Sequence, residues 1–229
     1  MLGLMMEFIY YFMLFATGDY FFYFWTNVLY EKYNRINVSN KDTVSVPDFS
    51  DWVLGNGVSY VFLYLIYTKQ IGHLYANVSD YSITYTLISP IAYFFIQDFM
   101  FYVLHRTAHI PFLYQRIHYV HHKHRKPTSW SVRISHWIDS NVENIAFTLP
   151  VVVMPIHEYI WMSCLMFTLL WGNFLHDSKK RIQLYLLNDN SDHCVHHYYG
   201  ENNCNYSYYF NHWDKIFGTY KKMKIRTNH

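Results

Sequence analysis

Ten histidines of this chain fall at spacings that metal chemistry uses. His105 and His109 in HRTAH stand four apart, and His118, His121 and His122 in HYVHH stand at i, i+3 and i+4. HCVHH repeats the second spacing with His193, His196 and His197. On a helix each box turns its imidazoles toward one face. Two singles, His136 in RISHW and His176 in NFLHD, sit at the polar edges of a long apolar stretch. One HxxxH pair is a weak signal by itself and one HxxHH is somewhat better. Three boxes in this order, each beside an apolar segment, argue against ordinary core histidines. A tetrahedral site takes about four ligands, so ten imidazoles point to two ions. Imidazole suits iron, zinc or copper, and iron is preferred only where the chemistry activates oxygen. Asp98, Asp177 and Asp192 are candidate acceptors for the outward ring N–H groups. His124 reads as a solvated neighbour of a box and His157 as a helix-terminus or interface residue, while His73, His212 and His229 read as surface positions.

The elements that must carry these boxes are apolar runs. Of the 229 residues, 52% are hydrophobic and 21% aromatic. Residues 8–30 and 83–104 are each long enough to span a bilayer, which takes about 20 residues. Residues 52–68 form a shorter run, and Gly18 and Asp19 interrupt the first. Residues 145–175 form another, in which Pro150 and Pro155 predict a break into a short helix or re-entrant piece and a second helix. The first run has no basic leader or small-residue cleavage site and reads as an anchor. Cations without acids between 105 and 136, and again in Lys215, Lys221, Lys222, Lys224 and Arg226, place both regions on the cytosolic side. Cys164, Cys194 and Cys204 form no paired framework, as expected of a reducing compartment. The expected fold is therefore an all-α, multi-pass membrane helical bundle with a cytosolic, histidine-rich di-metal cap.

QDFMFYVLHRTAH, HYVHH, RISHW, MPIHEY, NFLHD and the ending HCVHHYYGENNCNYSYYFNHWDKIFGTY together resemble the fatty acid hydroxylase and sterol desaturase superfamily. Within it the MPIHEY turn and the NCNY to FGTY ending are most similar to the sterol C-5 desaturases (lathosterol oxidases). The likeness runs from about residue 50 to the end, with Cys194, Arg133 and Trp137 departing from the usual Thr, His and Pro. It implies a membrane anchor region over 1–80 and a catalytic domain over 81–229. It further implies two iron ions, O2 as co-substrate, and an endoplasmic reticulum membrane location. The lipid substrate would be a delta-7 sterol taken from the bilayer and given a 5,6 double bond. Electrons would come from cytochrome b5 and its NAD(P)H-dependent reductase, since the chain has no haem or flavin module. C-4 methyl sterol oxidation and fatty acyl hydroxylation use the same boxes and remain alternatives. A metal transporter is a remote one, because transporter ligands sit near the bilayer midplane on broken helices and these boxes sit among cations at helix ends. Nothing in the sequence points to nucleic acid.

Overall fold

The apolar runs fold mainly as helices in the computed structural model, which describes residues 2–34, 49–178, 182, 184–199 and 204–222. Lys224, Arg226 and His229 lie outside the described residues. The long helices are α1 (Leu2–Asn34), α2 (Phe49–Tyr67), α3 (Ile83–Ala108), α6 (Trp137–Thr148) and α8 (Glu158–Leu175). Shorter pieces are α4 (Pro111–Leu113), α5 (Tyr119–His122), α7 (Pro150–Val153), α9 (Asn190–Tyr199) and α10 (His212–Ile216). The all-α expectation needs one amendment. β1 (Leu74–Tyr75) and β2 (Ile156–His157) pair in parallel, Leu74 opposite Ile156 and Tyr75 opposite His157.

The described residues fall into two compact units, one from 1–97 and 136–170, the other from 98–135 and 171–229. In the first unit, α1 and α2 meet through aromatic rings, with Phe12 against Tyr60 and Tyr23 against Trp52. Asp19 does not stand in apolar surroundings alone, since the Tyr60 hydroxyl donates to it at 3.0 Å. Asparagines, which the sequence did not single out, tie α2 to α6. Asn141 accepts from the backbone N–H and hydroxyl of Ser59, both at 2.8 Å, and Asn144 donates to Asn56 at 2.9 Å.

The expected break in 145–175 occurs at its prolines. Pro150 occupies the first turn of α7, where its missing N–H costs nothing, and Pro155 precedes β2. Gly72, at φ +81°, lets the 71–73 turn come within reach of Val151, whose carbonyl would lie 3.1 Å from any Cβ there. The next residue, His73, donates its N–H to that same carbonyl at 2.9 Å. His157 serves as the helix-terminus residue that its sequence position suggests. Its Nδ1 accepts from Tyr159 N–H at 3.3 Å, and its Nε2 donates to the Ala76 carbonyl at 2.9 Å.

Among the described residues, α3 is the one helix both long and apolar enough to cross a membrane, with mean hydropathy 1.6. Its exposed Ile83, Leu87, Ile91, Phe95, Phe99 and Val103 recur every four residues and form an apolar stripe that winds around the helix by about 40° per step. The same helix buries Tyr93, Gln97, Phe101, Tyr102 and His105.

Candidate metal centre

Nine of the ten histidines converge in the second unit, and none of the nine is more than 5% exposed. α3 ends at Ala108, so it carries His105, and His109 follows one hydrogen-bonded turn later. HYVHH begins in a π-helical turn, Tyr114–His118, and continues into α5. Such widened turns are frequent at functional sites. α9 carries the third box, and His176 follows the last residue of α8.

The nine fall into two groups. His105, His109, His118, His122 and His196 form the first, and His121, His176, His193 and His197 form the second, with ligand atoms of each group within 4.8 Å of one another. This corrects the one-face reading of the boxes. On a helix, residues i and i+4 are only about 40° apart around the axis, while i+3 and i+4 are about 100° apart. Each HxxHH box therefore divides into a pair and a single. The pair His118/His122 serves the first group while His121 serves the second, and the third box does the reverse with His193/His197 and His196.

His136 is in neither group. It lies in the other compact unit, where its Nδ1 accepts the Ile138 N–H at 3.3 Å as the N-cap of α6. His124 also belongs to neither group.

Ring tautomers follow from the outward hydrogen bonds. Nδ1 of His105 lies 2.9 Å from the Tyr206 carbonyl, and Nδ1 of His196 lies 2.7 Å from that of Cys204. In the second group, His176 Nδ1 meets the Gly172 carbonyl at 2.8 Å and His121 Nδ1 meets that of Ile134 at 3.2 Å. A carbonyl accepts only, so each Nδ1 carries the proton and each Nε2 presents a lone pair inward. For these four rings backbone carbonyls fill the role expected of carboxylates. Asp98 instead accepts the backbone N–H groups of Tyr208, Tyr209 and Phe210 at 2.8, 2.7 and 3.1 Å. Asp192 accepts from the Tyr220 hydroxyl at 3.4 Å, and its carboxyl is pushed up to about 7 by burial, with Asp189 adding to the shift.

The inward nitrogens fit a cation. His176 Nε2 stands 3.2 Å from both His121 Nε2 and His193 Nε2, and His118 Nε2 stands 3.1 Å from His122 Nε2. Two lone pairs cannot bond each other, yet ligands at 2.0–2.1 Å around a tetrahedral ion are separated by about 3.3 Å. Buried His196 Nε2 and both ring nitrogens of His197 have no hydrogen-bond partner among the described residues. Burial first, and neighbouring imidazoles second, hold His122, His176, His193, His196 and His197 well below the usual histidine value, so they are neutral as ligands must be.

Gly172 shows how closely the second group is supported. A Cβ there would lie 2.5 Å from the Tyr208 hydroxyl and 3.2 Å from Val132 Cγ2. Tyr208 is itself buried and its backbone is held by Asp98, so it has little freedom to yield. Gly172→Ala is expected to destabilise the protein by about 1–3 kcal/mol and to displace the carbonyl that orients His176. Thermal unfolding and metal content of the purified variant check this, and a variant matching the parent in both contradicts the packing argument.

The fatty acid hydroxylase family model matches residues 90–219, more than half of the chain. Lathosterol oxidase of Mus musculus is 25% identical over 211 residues, covering 90% of this chain and 69% of that protein. A delta(7)-sterol 5(6)-desaturase of Gibberella zeae is 30% identical over 155 residues, covering 66% of this chain and 47% of that protein. Human lathosterol oxidase is 26% identical over 166 residues, or 70% of this chain and 55% of its own length. No solved structure matches the chain.

Proposed function

Because this chain belongs to the fatty acid hydroxylase family and its named relatives are oxidoreductases, we propose that it is a sterol desaturase that introduces the 5,6 double bond into a delta-7 sterol. The observation that carries the reading is the pair of imidazole groups, five and four strong, buried in one compact unit. Two ions fit that division, and iron is the choice because removing hydrogen from an unactivated carbon needs a redox metal with open positions. When bound, the irons would supply oxygen activation. The overall change balances as two C–H hydrogens, O2, two electrons and two protons giving a carbon–carbon double bond and two waters.

The chain's own contribution is positional. Carbonyls of Tyr206, Cys204, Gly172 and Ile134 hold the proton on the outer nitrogen of four rings, which keeps each inner lone pair available. Their burial excludes water from the same place. The apolar stripe of α3 supports a bilayer location, which we extend to a multi-pass endoplasmic reticulum protein with its histidines on the cytosolic face. Residues 1–80 would then be anchor and 81–229 catalytic domain. Electrons would come from cytochrome b5 and its NAD(P)H-dependent reductase.

Expression in yeast lacking its own C-5 desaturase tests the reading. Restored 5,7-diene sterols, seen by their ultraviolet absorption, are the expected result. Well-expressed, iron-loaded protein that yields no diene but accumulates a hydroxylated lipid sinks the desaturase assignment in favour of C-4 methyl oxidation or acyl hydroxylation.

A further inference from the structure

The ending NCNY to FGTY holds none of the nine histidines, yet it packs against the first group of them. Two carbonyls from a single three-residue turn, Cys204 and Tyr206, receive the Nδ1 protons of His196 and His105. These rings come from different helices, α9 and α3, and both belong to the first group. In the second group the corresponding carbonyls, Gly172 and Ile134, lie in separate segments far from that turn in sequence. These carbonyl supports of the two groups thus come from different segments.

Two fully buried side chains hold the turn. Asn205, between the two carbonyl residues, sits at φ +56°, a left-handed conformation that asparagine tolerates better than most residues. Its Nδ2 donates to the Asp192 carbonyl on α9 at 2.9 Å and to the Lys221 carbonyl at 2.8 Å. Its Oδ1 accepts the Lys221 N–H at 2.7 Å, and its own N–H reaches the Thr219 carbonyl at 3.0 Å. Asp214 takes the next two amides, Tyr206 N–H at 2.8 Å and Ser207 N–H at 2.9 Å, together with the Thr219 hydroxyl at 2.7 Å. Every one of these bonds fixes where the 204 and 206 carbonyls stand.

We propose that Asn205 and Asp214 are positioning residues that set the metal affinity of the first histidine group separately from that of the second, by holding the turn whose carbonyls orient His105 and His196. The inference rests on the reading that both groups hold metal. Losing an outer hydrogen-bond partner of a metal-ligating histidine typically weakens binding 10–100-fold, and here both supports of one group depend on one turn.

Cobalt(II) titration of the purified, metal-stripped full chain tests this. The parent is expected to bind two ions. Asp214→Asn and Asn205→Gly, the second keeping the left-handed backbone while removing the side-chain bonds, should bind one ion as the parent does and the other 10–100-fold more weakly. His176→Ala removes a ligand of the second group, so the ion it retains reports on the first. Adding Asp214→Asn to His176→Ala should weaken that remaining ion by the same factor. Equal weakening of both ions, or parent affinity for both in Asp214→Asn, overturns the positioning role while leaving the metal reading intact. A parent chain that binds no cobalt overturns the metal reading and the positioning role with it.

Discussion

His196→Ala is expected to abolish turnover and to lower the bound metal by one ion per chain. His196 is the single that α9 sends to the first group, and burial beside four other imidazoles leaves it no role on the protein surface. Alanine removes the inward Nε2 and also strips the Cys204 carbonyl of its donor. The helix itself tolerates the change, since alanine is the best helix former, so folded protein should still be recovered. Metal analysis of an active preparation showing two ions in His196→Ala would remove this residue from the ligand set. His136→Ala gives the contrasting result. Its ring caps α6, so the expected loss is about 1 kcal/mol of stability with both ions retained. Loss of an ion from His136→Ala would restore the ten-ligand set that the spacing first suggested.

Asp98→Ala is expected to have the largest effect on stability. The carboxylate is fully buried and takes three consecutive backbone N–H groups, those of Tyr208, Tyr209 and Phe210. Each buried donor left without a partner costs about 1–3 kcal/mol, so three together cost on the order of 3–9 kcal/mol. That is a large share of the roughly 5–15 kcal/mol by which domains of ordinary size are stable. Asp98→Asn should fall between, because an amide keeps one accepting oxygen but turns an NH2 toward the remaining N–H groups. Thermal unfolding in one detergent compares the three proteins. Coincident midpoints for Asp98→Ala and the parent would show that the 208–210 segment does not depend on this carboxylate.

Much of the site was legible from spacing alone. Helical registers of 3, 4 and 3-plus-4 are local properties of a chain, so HRTAH, HYVHH and HCVHH identified eight of the nine converging rings, and His176 came with them as the single after NFL. The apolar runs and the proline break in 145–175 were legible for the same reason, because hydrophobic length and a missing N–H act within one segment. Three things were not. The boxes looked like three faces, whereas each HxxHH divides between two groups, and which ring goes where depends on a 100° rotation that matters only once a second helix stands opposite. His136 matched the pattern but lies in the other compact unit, where its Nδ1 caps α6, a placement that spacing does not carry. For four rings the outer acceptors are backbone carbonyls, which every residue has and no residue type marks. The sequence by itself determined the candidate ligands, because imidazole and helical period are fixed residue by residue. Tertiary structure decided how the rings divide and what orients them, because those depend on contacts between segments a hundred residues apart, such as His105 on the carbonyl of Tyr206.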